Sequence, residues 1–357
     1  MKKKIFWTAV VIVLVSVFLF VTLGDKTVTP SANKDIIKIG VVLPLSGNLA
    51  FLGESAKNSA NLALSDYGIT KNDYQLVFED DQFDGKKTVT AVSKLISADG
   101  VKAIVTFGSG PANSAKPLVI KNDLIHLSVV SDQTFADGKN NFNHWTAPVD
   151  EVTAMVQEFK NRNIKKVALF TANQDGMLAI NNEIKKQLKG TEIVITTDET
   201  FNFGEKDFRS QIIKIKSNLP DIIVLTCFAP ELDVLGKQIK DAGITVPMTS
   251  EEGMETTTNQ KLFNGYWYVS AGDPSSDFVD KYKSEFSSSS PMVGSGNVYD
   301  IVKILVTAYE KSSDIERVSI AKQLLKIKDF SGAMGNISMK NDGNIQSKAS
   351  VKAIIAK

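Results

Sequence analysis

Histidine, arginine and cysteine are scarce in this 357-residue chain, and each shortage excludes a class of chemistry. The single cysteine, Cys227, cannot form an internal disulfide, so the fold must be held by its cores. The two histidines, His126 and His144, belong to no H-E-x-x-H pattern, and no paired-cysteine motif exists, so no metal site is expected. No G-x-S-x-G elbow is present. Cys227 closes an apolar run without a sequence signal for a base, and reads as a small buried hydrophobe; no catalytic residue is expected. His126 lies inside the strand-like stretch LIHLSVV and reads as core. Arginine is confined to Arg162, Arg209 and Arg317, which makes a guanidinium clamp on a phosphate or carboxylate ligand improbable. Surplus charge is missing too. With 41 basic and 40 acidic residues there is no field to recruit nucleic acid or anionic lipid.

What is present begins at the first residues. Lys2, Lys3 and Lys4 precede an apolar run from residue 5 to 20, extended by Val21 and Leu23 and closed by Gly24 and Asp25. A basic flank before an apolar run is an export signal or a membrane anchor. The run approaches the roughly 20 residues that a helix needs to cross a bilayer. It exceeds the about 7–15 of a secretory core, and no A-x-A pattern follows. Residues 1–24 therefore read as an uncleaved anchor ahead of a removed signal, with no cysteine to carry a lipid. The basic flank places the remainder outside the cytoplasm. Residues 25–35 are polar, include Pro30, and read as a tether.

From there β-branched runs alternate with helical stripes, the pattern of parallel α/β sheets. Strands are predicted at 36–43, 75–79, 101–107 and 124–130. Helices are predicted at 55–67, 86–98 (with Val89, Val92, Leu95 and Ile96 on one face) and 113–121. A second series opens with Asp150 as the cap of a helix carrying Val152, Met155, Val156 and Phe159. It continues with strands at 166–171, 192–196, 221–228 and 246–249, and helices at 178–188, 207–218 and 230–241. A strand at 265–271 and helices at 277–286, 298–312 and 315–328 follow. The C-terminus reads as a hairpin of 336–339 and 348–356 around Asn341-Asp342-Gly343. Two successive series mean two doubly wound sheets.

Two stretches invite a ligand reading. Gly108-Ser109-Gly110 follows a strand and opens a helix, but Pro111 offers no N–H and Asn113 replaces the third glycine, so the dinucleotide fingerprint fails and no cofactor is expected. Glu79-Asp80-Asp81 with Asp84 is acidic without the spacing of a calcium loop, and reads as a solvated strand end.

The segment 37–47 (IKIGVVLPLSG) with Gly53 resembles the opening of the type I periplasmic binding proteins, specifically the leucine/isoleucine/valine-binding branch. Glu79-Asp80-Asp81, Ala98-Asp99-Gly100, Gly204-Glu205-Lys206, Ala229-Pro230-Glu231, Glu252-Gly253 and Gly332-Ala333-Met334-Gly335 follow in that family's order. The resemblance implies two Rossmann-like parallel-sheet lobes joined by three crossovers, near 146–149, 271–274 and 331–335. Lobe one would be 36–146 plus 275–330, and lobe two 149–271 plus 334–357. It implies a ligand carboxylate held by Ser109, Ser131 and Asp132, and an ammonium held by Glu252. Asp175, Phe228 and Leu52 stand where the family places aromatics. Asp132 and Asp175 depart from the pattern, because acids there repel a carboxylate. The resemblance further implies an extracytoplasmic component of an ABC importer, presenting an amino acid or related amine to its permease. A tethered sensor domain is the rival reading.

Overall fold

The computed structural model describes residues 36–287, 289–345 and 349–353. The apolar N-terminal run and its tether lie outside these residues. Among the described residues no helix is long and apolar enough to cross a membrane.

The first series forms β1 (Ile36–Leu43), α1 (Ala50–Ser65), β2 (Asp73–Asp80), α2 (Gly85–Lys94), β3 (Ala103–Phe107), α3 (Ser109–Lys121), β4 (Ile125–Val129) and β5 (Asn141–Asn143). Its strands pair in parallel in the order β2-β1-β3-β4-β5. β3 and β4 are buried throughout, which is why they read as unbroken apolar runs. The second series forms α4 (Pro148–Asn161), β6 (Lys166–Ala172), α5 (Asp175–Leu188), β7 (Val194–Phe201), α6 (Arg209–Asn218), β8 (Ile222–Thr226), α7 (Glu231–Asp241) and β9 (Met248–Thr249). These strands make a separate parallel sheet, β7-β6-β8-β9. After β10 (Trp267–Ser270) come α8 (Ser276–Glu285), α9 (Ser295–Lys311) and α10 (Arg317–Leu324). They return to the first sheet, where Phe278, Tyr282, Ile301, Leu305 and Ile320 complete its core.

The sequence expectation of two parallel-sheet lobes holds, with local corrections. Asp150 does not cap α4. The helix starts earlier, with Ala147 at the cap and Pro148 in the first turn, where a missing N–H costs nothing. Val89 is 39% exposed, so the buried line of α2 is Thr88, Ala91 and Val92. Thr88 tolerates burial because its hydroxyl donates to Asp81 at 2.9 Å. The acidic stretch at the end of β2 is absorbed by the loops around it. Asp80 accepts the N–H groups of Leu45 and Gln82, Asp81 that of Phe83, and Asp84 caps α2. His126 is fully buried between Thr106 and Asn141, and burial drives its pKa down to about 3.

The C-terminal hairpin is replaced by a different pairing. β11 (Phe330–Gly332) pairs with β12 (Gly335–Ile337), and β13 (Ser350–Ala353) pairs with β10. The turn at 340–344 exists and Met339 and Ile345 bridge antiparallel across it, but the chain beyond pairs elsewhere. Ile345 N donates to Asn143 O, and Asn143 N to Gly343 O, at the edge of the first sheet. Ile337, Met339 and Ile345 accordingly lie in the first lobe's core. The tail assigned by resemblance to lobe two therefore divides, with only β13 joining β10. Where the chain passes between the sheets its segments touch. Thr146 Oγ1 donates to Ala271 O at 2.5 Å, and Ser275 N to Ala333 O at 2.6 Å.

Candidate functional site

The carboxyl ends of β3, β4, β6, β8 and β9 open onto one cavity between the lobes, with about 590 Å³ of space when its solvent-open mouth is included. Such strand ends are where open α/β sheets bind ligands. Much of the wall is apolar: Phe83, Phe107, Val129, Met177, Ile180 and Phe228.

One polar region of the wall is made by helix starts. Gly108 has φ +94°, and a Cβ there would lie 2.3 Å from the Phe83 ring, so only glycine lets β3 turn directly into α3. This turn places Ser109 at the N-terminus of α3, 4% exposed, with Ser131 beside it after β4. From the second lobe the N-terminus of α5 arrives. A Cβ added at Gly176 would lie 3.1 Å from Ser109 Oγ and 3.5 Å from Ser131 Oγ. Two helix N-termini and two hydroxyls thus converge, an arrangement suited to an anionic group.

The other polar region is acidic. Glu251 and Glu252 line the cavity on the turn that follows β9, 1% and 4% exposed. Glu151, from the first turn of α4, reaches the Glu252 side chain from behind. Both oxygens of Glu151, Oε1 of Glu251 and Oε2 of Glu252 have no hydrogen-bond partner among the described residues. Burial raises all three pKa values. Glu251 is pushed up to about 8. Glu151 and Glu252 are raised well above the carboxylate range, with the neighbouring glutamate charges adding to burial. Trp145 Nε1, on the same wall, also lacks an acceptor among the described residues.

The turn carrying Glu252 is fixed by a close approach. A Cβ on Gly253 would lie 2.2 Å from Cys227 O, a backbone atom that cannot swing aside. Gly253→Ala is expected to destabilise the protein by about 1–3 kcal/mol, as overpacking does, read as a lower urea midpoint. An unchanged midpoint would refute this account of the turn.

Of the residues singled out from sequence, Ser109, Ser131, Phe228 and Glu252 line the cavity together. Leu52, Asp132 and Asp175 do not. Leu52 is wholly buried in the first lobe's core. Asp132 caps a short turn, accepting from Thr134 N at 3.0 Å and from Asn113 Nδ2 at 3.0 Å. Burial opposes its charge, but the Thr134 and Asn113 hydrogen bonds prevail and lower its pKa. The same Asn113 nitrogen reaches Asp175 at 3.2 Å, so one amide bridges the lobes at the rim of the cleft. Sequence reasoning missed Glu251, Glu151 and Trp145. The doublet Glu251-Glu252 was a visible signal. Glu151 was not, because an acid in a first helical turn is ordinarily a solvated partner of the dipole.

A family model described as periplasmic binding protein matches residues 36–353. The Leu/Ile/Val-binding protein of Rhizobium johnstonii is 23% identical over 90% of this chain and 91% of its own length. The leucine-, isoleucine-, valine-, threonine- and alanine-binding protein of Pseudomonas aeruginosa is 23% identical, covering 88% and 89%. Among solved structures, the leucine-binding protein LivK of Thermotoga maritima superposes with a TM-score of 0.82 at 21% identity, covering 89% of this chain and 95% of that one. LivJ of Streptococcus pneumoniae, in complex with isoleucine, gives 0.81 at 23% identity, covering 90% and 97%. The chain belongs to the periplasmic binding protein family, with the two-lobed fold of its leucine/isoleucine/valine-binding branch, and is a solute-binding protein rather than an enzyme.

Proposed function

We propose that the chain is the extracytoplasmic substrate-binding component of an ABC importer and carries an amino acid or a related small amine to its permease. The observation that carries this reading is the polarity of the cleft. Buried glutamates, with oxygens that lack a donor among the described residues, stand at one place, helix N-termini with Ser109 and Ser131 at another, and the rest of the wall is largely aromatic and aliphatic. Glu252 takes the ammonium, Ser109 and Ser131 the carboxylate, and Phe228 packs on the side chain. Asp132 and Asp175 act at the rim through Asn113, and Leu52, in the first turn of α1, anchors that helix in the first lobe's core. A ligand touching both lobes favours the closed arrangement, which the permease then recognises. The ligands for which the relatives are named, leucine, isoleucine and valine, are consistent with the apolar wall.

A thermal-shift screen of amino acids, amines, sugars and carboxylates tests it. An amine-bearing compound at 100 times its Kd should add about 2.7 kcal/mol of stability. A response confined to sugars or to amine-free carboxylates would refute the proposal. ATP-driven uptake into vesicles bearing the permease, with and without the protein, tests its transport half.

A further inference from the structure

One ammonium needs one carboxylate to face it, yet three glutamates meet at this end of the cleft. Glu251 and Glu252 come from the turn after β9 and Glu151 from α4, all of them at least nine-tenths buried. Four of their oxygens lack a donor among the described residues. The charged groups around them are also acidic. Asp150 acts on Glu151 from the same helix turn, Glu255 acts on Glu252 from its own turn, and Cys227 at the end of β8 adjoins Glu251. Lys352 on β13 does not relieve the cluster, because Glu255 holds it at 3.0 Å and Asp273 at 2.5 Å. Ser250 Oγ donates to Glu251 Oε2 at 3.4 Å, but three ionised carboxylates so enclosed would still repel one another. In the empty cleft a proton shared between Glu151 and Glu252 removes that conflict.

We propose that ligand binding is an exchange of cations: the ammonium enters against Glu252, and the proton held between Glu151 and Glu252 leaves to solvent. The O–H bond of the shared carboxyl breaks, its electron pair stays on the carboxylate, and an N–H of the ammonium replaces it as donor. Glu151 is a positioning residue that acts through Glu252, and Glu251 keeps the shared proton from being lost early. The inference rests on the amine-binding reading above.

The test is calorimetric titration of the full chain with L-isoleucine, or with the amine giving the largest thermal shift if isoleucine gives none. Buffers of different ionisation enthalpy count the protons. The expected result is release of about one proton per ligand, with affinity rising about tenfold per pH unit between about pH 6 and 7. Glu151→Gln should abolish the release and flatten the pH profile. Glu251→Gln should diminish both, and serves where Glu151→Gln does not fold. A purely structural Glu151 would change affinity and leave the proton count intact. Amine binding without proton release, or unaltered release in both variants, overturns the exchange while leaving the amine-binding function standing. Absence of any amine binding overturns both.

Discussion

Glu252→Ala is expected to weaken binding of an ammonium-bearing ligand by about 30-fold to several thousand-fold, while leaving the ligand-free protein as stable as before or more so. The binding loss follows from burial. Glu252 is 4% exposed and sits in a wall otherwise rich in Phe, Met and Trp, where a charged pair is poorly screened. Truncating one member of a buried charge pair costs about 2–5 kcal/mol, and each 1.4 kcal/mol is tenfold. The retained stability has the same origin. Without ligand, Glu252 contributes an Oε2 with no hydrogen-bond partner among the described residues, and it coexists with Glu151 only by keeping a proton between them. Removing it lifts the burial cost of that group, offset by the lost shared-proton hydrogen bond and a small cavity, so no net loss of stability is expected. Affinity and stability should therefore move apart in one variant. Titration calorimetry beside urea unfolding reads the two quantities. Affinity within threefold of the parent chain would show that the ammonium is held elsewhere.

Most of the fold was legible because parallel strands buried on both faces have no other sequence solution. β1 stands at its expected bounds and β3, β4 and β6 within two residues of theirs, all from short apolar runs. What failed was pairing at long range. The Asn341-Asp342-Gly343 turn was visible, but Ile345 docks on Asn143, about two hundred positions earlier, and β13 on β10. Nothing local encodes which of several edges a short segment will join. The site divides in the same way. Ser109 could be placed by its strand-end loop, which must face the cleft, and Glu252 by the family resemblance, as the glutamate before Gly253. Asp132 and Asp175 carry the same charge as Glu252 in sequence. What turns them to the rim is Asn113, which Asp132 meets within its own lobe and Asp175 meets across the cleft. Glu151 shows the converse. Its helical position reads as surface, and only the packing of α4 against the turn after β9 buries it.

The same cluster sets an unusual slope of stability against pH. A group whose folded pKa lies above its unfolded value stabilises the protein below the unfolded pKa, and that contribution is lost as pH rises through the folded one. Glu251 rises from an ordinary 4.5 to about 8, and Glu151 and Glu252 rise in the same direction. Asp81, raised by burial to about 6, adds a contribution lost by that pH. His126 opposes them. Held neutral by burial, with its pKa lowered to about 3, it favours the folded state more as pH climbs from there to its ordinary 6.5. Above pH 6.5 that opposition has ended, and the glutamates act alone up to about 8. The ligand-free protein should therefore lose stability across this window, by up to about 1.4 kcal/mol per pH unit for each proton involved. Glu251→Gln should reduce the slope, because an amide does not ionise. Urea midpoints at pH 6.5 and 8 measure it in both proteins. Stability that holds level or rises over that interval in the parent chain would mean that the glutamates are already ionised and compensated. Saturating amine should reverse the trend, since the ammonium stabilises the ionised cluster that the empty protein cannot tolerate.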